Sequence, residues 1–323
     1  MKAIPVIDKA IRSLLCILAL TAITGCEQRE LCYDHSHGAY VDLFFDWSLE
    51  PDANVSTMVV WAYSDDGSEG LRFEFDAMRT RASEGYAIKL PPGTWRLTCY
   101  NGDTDNNHEQ GRLPGDLQIT TYDYLLLAPL NRSDNAPRPP LTENEPVRSP
   151  ASHIYAAAAE TIITVLPTDG HNSVRYKATF VPRRATAIWN IRVEEISGVT
   201  GTLEASGIVT GVAESWSVSK AAPFGREVTI PFGMTVCMEG EGCLRASLIV
   251  FGDTAPHEVR HHLRVYTTTK YYYDYEVTDQ VHSAPDPKNV DIVVKGMKLP
   301  ETGSGMSPGV SDWEDAENIE LDL

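Results

Sequence analysis

The chain is 323 residues long and carries 45 acidic against 27 basic side chains, a formal net charge of −18 at neutral pH. That length accommodates two domains with separate cores. Its acidity repels nucleic acid and anionic lipid, so no nucleic-acid partner is expected.

Lys2, Lys9 and Arg12 precede an apolar run from Leu14 to Ile23, and the run closes on Ile23-Thr24-Gly25-Cys26. This is the layout of a secretory signal peptide, and its last four residues match the bacterial lipobox. The run is too short to span a bilayer. Residues 1–25 are therefore expected to be removed, leaving 298 residues; Lys2, Lys9, Arg12 and Asp8 leave together, taking the net charge to −20. Cys26 becomes the expected lipid-attachment residue. Each buried CH₂ of its acyl chains contributes about 0.8 kcal/mol to membrane binding, and several chains anchor durably.

Residues 26–37 are polar and read as a tether. Asp34-His35-Ser36-His37 sits in it without further ligand residues nearby, so it reads as exposed loop and not as a metal site. Period-two patterns then begin: Val41, Leu43 and Phe45 alternate with their neighbours, Met58 to Tyr63 is β-branched and aromatic, and Arg72 to Phe75 alternates again. Tyr86 to Leu90 and Thr94 to Tyr100 flank Pro91-Pro92-Gly93, a turn in which proline fixes φ and glycine accepts a positive one. Asp103, Asp105 and Asn107 begin like a calcium loop, but His108 stands at the sixth position and Pro114 at the twelfth, where that loop needs glycine and glutamate. A solvated turn is expected there.

Leu117 to Leu130 continues the strand material. Prolines 129, 137, 139, 140, 146 and 150 then interrupt any ladder, so residues 131–152 read as a long loop near a domain boundary. Ala156 to Ala159 is short and helix-forming, enough for one turn. A second β series follows from Ile162 to Lys295, with its glycines opening no phosphate-binding turn. Many short strands, Gly and Pro turns and almost no helix specify an all-β chain of β-sandwiches. The expected divisions are an N-terminal sandwich at 38–165, a C-terminal sandwich at 166–300 and an acidic tail at 301–323.

Cys237 and Cys243 bracket Met-Glu-Gly-Glu-Gly between apolar runs, so a hairpin there brings them opposite one another as a candidate disulfide. Spacing does not settle a pairing of Cys32 with Cys99. No CxxC occurs, and no zinc site is expected from the cysteines.

Three enzyme-like or sorting motifs fail their context. His257-Glu258-Val259-Arg260-His261 spells HExxH, which ligates zinc when helical, yet Pro256 precedes it and the β-forming Leu263 to Thr269 follows. On a strand its two histidines lie about 13 Å apart. Gly305-Met306-Ser307-Pro308-Gly309 fits GxSxG without the strand-to-helix elbow that chemistry needs. Leu299 to Gly303 spells LPxTG, but an acidic segment follows where an apolar one is required. No catalytic residue, metal ligand or cofactor is expected. In the tail, Ile319, Leu321 and Leu323 alternate with polar residues; this is either an edge strand of the chain's own domain or a strand offered to a partner.

Several segments resemble a known family. They are Leu31-Cys32-Tyr33-Asp34-His35, Phe45-Asp46-Trp47, Leu90 to Trp95 with Tyr100-Asn101, Tyr275 to Gln280 with Ala284 to Pro287, and Pro308 to Trp313. Together they resemble lipoproteins of anaerobic gut and oral Gram-negative bacteria similar to fimbrillin-type accessory and anchor proteins. The resemblance implies two transthyretin-like β-sandwiches in tandem, an outer-membrane lipid anchor at the cell surface, and contacts with fimbrial subunits or other adhesive partners. It carries no catalytic residues. Asp253-Thr254-Ala255 also resembles a short O-glycosylation acceptor used by such bacteria. The competing class is a surface carbohydrate- or metal-binding module, suggested by Trp95, Trp216 and Tyr271 to Tyr273; an exposed aromatic row would favour it, and a free sheet edge or groove would favour assembly.

Overall fold

The computed structural model describes residues 38–76, 86–124, 137–166, 174–198, 203–238, 242–254, 259–267, 271–299 and 317–318. Cys26, Cys32 and most of the acidic tail lie outside the described residues. In chain order the first part supplies β1 (Ala39–Phe45), β2 (Met58–Ser64), β3 (Leu71–Phe75), β4 (Tyr86–Leu90), β5 (Gly93–Asn101), β6 (Asn107–Gln110), β7 (Gln118–Thr121), β8 (Tyr155–Ala158) and β9 (Ile163–Val165). The rest supplies β10 (Arg175–Phe180), β11 (Arg183–Arg184), β12 (Ala187–Glu194), β13 (Ala205–Ser217), β14 (Ala222–Cys237), β15 (Cys243–Val250), β16 (His262–Thr267), β17 (Tyr271–Glu276), the short helix α1 (Thr278–His282), β18 (Asn289–Lys295) and β19 (Glu317–Asn318).

The chain is all-β and builds two sandwiches. In the first, β1 lies between β4, antiparallel to it, and β10, parallel to it. The alternation read in β1 decides its facing: Ala39, Val41 and Leu43 are buried while Tyr40 and Phe44 are exposed. Opposite stands the sheet β11-β8-β5-β2-β3, with β9 added along β5. Val41, Leu43, Met58, Leu90, Leu97 and Phe180 close the core between the two.

In the second sandwich β14 crosses between layers. It pairs with β13 from Ala222 to Met234 and with β15 from Thr235 to Cys237. One layer is thus β18-β12-β15 and the other β14-β13-β16-β17, closed over Trp189, Ile191, Val209, Ile230, Leu263 and Tyr273. The two sandwiches are joined by a third apolar cluster. Val59, Trp61 and Tyr63 on the outer face of β2 pack there with Ile119, Trp216 and Phe251, and the Trp61 indole donates to the Tyr100 hydroxyl at 3.0 Å. Strand β2 is buried on both faces for this reason, and so reads in sequence as an unbroken apolar run.

The division after residue 165 does not coincide with a change of sheet, because β10 pairs with β1 and β11 with β8, while β7 leaves the first part to pair with β13. Ala156 to Ala158 is not a helical turn but strand, paired with Thr98 to Tyr100; the partner's free ladder outweighs the small helix preference of alanine. The helix present among the described residues is Thr278–His282 instead.

The turn after β5 is held by hydrogen bonds within the protein. Asp103 accepts hydrogen bonds from the Ser56 amide and hydroxyl, and buried Asn107 bonds both ways to the backbone of Ser152. No helix among the described residues is long and apolar enough to cross a membrane.

Candidate interaction surface and a buried polar cluster

The outer edge of the second sandwich is β17. Its alternation buries Tyr273 and Tyr275 in the core, and the Tyr273 hydroxyl donates to the Lys298 carbonyl. On the opposite face Asp274 accepts from the Arg264 guanidinium at 3.2 Å and pairs with His262 at 3.3 Å, while Arg264 lies 4.6 Å from the Tyr272 ring centre. Burial raises the Asp274 carboxyl, but the hydrogen bonds from His262 and Arg264 outweigh it and hold the group below the usual carboxylate range. This polar ladder fixes the β16–β17 pair. Glu317 and Asn318 of the tail lie parallel to Tyr271 and Tyr272, so the edge accepts a strand from the chain's own C-terminal segment. Ile319, Leu321 and Leu323 lie outside the described residues.

Beside the same sandwich, a cleft of about 790 Å³ opens between the loop at Pro140 to Glu145 and residues Arg226, Arg260 and His262. Leu141 stands on its rim, 86% exposed and with φ of 69°. A left-handed leucine costs on the order of 1–3 kcal/mol and persists only where its surroundings hold it. Arg138 does so by donating to the carbonyls of Thr142 and Glu145, and the Thr142 hydroxyl bonds back to Pro139 at 2.8 Å.

The aromatics that suggested a sugar-binding face are mostly interior. Trp95 and Trp216 are buried, with the Trp95 indole donating to the Pro91 carbonyl at 2.9 Å; Tyr273 is core and Tyr272 lies under Arg264. Cys237 and Cys243 are register partners across the β14–β15 hairpin, with Cα atoms 4.9 Å apart and their sulfurs bonded. Cys99 is a free thiol sealed in the first core, where burial pushes its pKa up.

One constellation escaped the sequence reading. The discounted HExxH supplies only its last histidine: residues 257 and 258 lie outside the described residues, and Val259 to His261 lead into strand, not helix. His261 is fully buried. It meets Asp253, just past β15, and His282, the last residue of α1, with the three ligand atoms within 4.8 Å of one another. His282 Nε2 lies 3.1 Å and His261 Nε2 3.5 Å from Asp253 Oδ2. The His261 Nδ1–H donates to the Thr210 carbonyl at 3.1 Å, its amide donates to Thr278 Oγ1, and its carbonyl accepts from the Val277 amide. Gly211 makes room for this contact. Its φ is 74°, and a Cβ there would stand 2.5 Å from the Arg260 carbonyl and 2.9 Å from His261 Nδ1. No spacing in the sequence links 253, 261 and 282; only the Thr-Asp-Gln-Val-His segment ahead of Pro285, with an acid in its first turn, hints at the helix that delivers His282.

Residues 25–233 match the family described as Domain of unknown function (DUF5119), and the chain belongs to that family. Among solved structures, the chain is similar to a candidate adhesin from Bacteroides ovatus at 16% identity, covering 87% of this chain and 99% of that one with a TM-score of 0.58. It is also similar to the fimbrial anchor protein Mfa2 from Porphyromonas gingivalis at 10% identity, covering 80% and 90% with a TM-score of 0.52. A second candidate adhesin from Bacteroides ovatus follows at 11% identity, 80% and 87% coverage and a TM-score of 0.50. These likenesses establish a shared fold. No curated protein matches the chain in sequence.

Proposed function

We propose that this member of the DUF5119 family is a lipoprotein of the cell surface, attached to the outer membrane through Cys26, which acts as a fimbrial accessory or anchor subunit or as an adhesin by protein–protein contact. The observation that carries the reading is the fold shared with a fimbrial anchor protein over 80% of this chain and 90% of that one. The leader ending in Cys26 supports the attachment, with residues 26–37 as tether. The β17 edge, already paired with Glu317 and Asn318, suits strand addition, in which main-chain hydrogen bonds supply affinity and alternate side chains supply specificity. Ile319, Leu321 and Leu323 are then the side chains that a neighbouring subunit receives, or that hold the edge until a partner's strand replaces them.

Protease shaving of intact cells, combined with membrane fractionation of wild type and Cys26→Ala, tests the attachment. The reading expects a membrane-bound, protease-accessible wild type and a mutant shed from the membrane. A wild type that is bound but shielded inside the periplasm overturns it. Deletion of residues 311–323 tests the tail: unchanged retention by fimbrial subunits removes the tail from the mechanism.

A further inference from the structure

We infer that Asp253, His261 and His282 form a binding site for one divalent transition-metal ion of the zinc class. The cluster is a two-histidine, one-carboxylate set, the donor chemistry that zinc and its neighbours take. Ligand atoms on a tetrahedral zinc at about 2.1 Å lie about 3.4 Å from each other; here two of the pairs are 3.1 and 3.5 Å apart and all lie within 4.8 Å. The three facing atoms are buried, so bulk water does not screen them.

The hydrogen bonding of His261 decides which of its nitrogens can serve. Its Nδ1–H donates to the Thr210 carbonyl, which leaves Nε2 as the nitrogen that faces the Asp253 carboxylate 3.5 Å away. A pair so arranged in a buried place is suited to hold a cation between its members. The Nδ1–H to carbonyl bond is also the outer contact that metal-bound histidines use to fix ring orientation and raise basicity. His261 is held in place by Thr278, Val277 and the absence of a side chain at Gly211, while Asp253 and His282 reach toward the surface with side chains 11% and 15% exposed. The ion ties the chain leaving β15, the chain entering β16 and the last turn of α1, and leaves one coordination position to water.

The test uses the untagged mature chain, stripped with a chelator and titrated with Zn²⁺ for thermal stability and with Co²⁺ for its visible ligand-field absorption. Expected are one equivalent bound, a melting temperature that rises with Zn²⁺ concentration, and Co²⁺ bands of a four-coordinate site. Asp253→Asn and His282→Gln, at the two partly exposed positions, should retain the wild-type circular dichroism and weaken binding by more than the ~10–100-fold that changes around a metal ligand cost. His261→Ala should abolish it. Absence of both the thermal shift and the Co²⁺ bands overturns the inference, as does binding that all three variants leave intact. An imidazolium at His261 in the metal-free protein, seen by ¹⁵N NMR together with no Zn²⁺ binding, assigns the cation to a proton and overturns it equally.

Discussion

The core of the first sandwich and the polar cluster of the second are built on opposite terms. Between β1 and β2 the interior is aliphatic and aromatic side chains with one inert thiol, Cys99. Between β15, β16 and α1 the interior holds two imidazoles and a carboxylate against the edge of Trp189, 5.4 Å from the His261 ring. Apolar burial is non-directional and tolerates repacking, whereas buried polar groups require each partner in place. The first region therefore serves as a support, and the second has the character of a site.

Mutations can break or sharpen this contrast. Phe180, fully buried beside Phe45, should be the most costly of those considered: Phe180→Ala is expected to lose about 3–5 kcal/mol in denaturant titration through the cavity it leaves. Replacing Cys237 and Cys243 together by serine should cost about 2 kcal/mol, since their loop is short, and reduction of the wild type should produce a comparable shift. Next come two glycines with nearly equal φ, 74° at Gly211 and 76° at Gly67. Gly67 has nothing near its missing Cβ, while Gly211 is crowded by the Arg260 carbonyl and His261. Gly67→Ala should cost about 1 kcal/mol for the backbone alone and Gly211→Ala distinctly more; equal losses would show that the close approach to His261 carries no weight.

The smallest effect is electrostatic. Burial raises the Glu214 carboxyl, but hydrogen bonds and charge from Arg148 and Arg226 prevail and depress it below its usual 4.5. A depressed acid contributes stability above its unfolded pKa and loses it as pH falls through the folded value. Glu214→Gln should therefore flatten the acid limb of a stability–pH profile below about pH 4.5, by less than about 1 kcal/mol for a pair that keeps some contact with solvent. A change confined to alkaline pH would contradict the assignment.

Much of the architecture is legible in the sequence because it rests on local alternation. Val41 and Leu43 against Tyr40 and Phe44, or Trp189, Ile191 and Val193 in β12, give both strand and facing directly. What stays hidden depends on distant partners. Nothing local pairs Phe45 with Phe180, and Ala156 becomes strand because Tyr100 awaits it across the sheet. The buried polar cluster stays hidden for the same reason. HExxH is a helix motif and Val259 to His261 lead into strand, yet His261 finds its companions in Asp253 and His282, brought by other elements of the second sandwich.

The measurement that bears most directly on the proposed role is an affinity pull-down of the cross-linked wild-type protein from intact cells, with Cys26→Ala as control. On the proposed role, wild type brings down β-sandwich subunits of a surface fibre or other adhesive proteins, and the mutant, shed from the membrane, does not. Wild type recovered alone, or with a glycan as its bound partner, would contradict it.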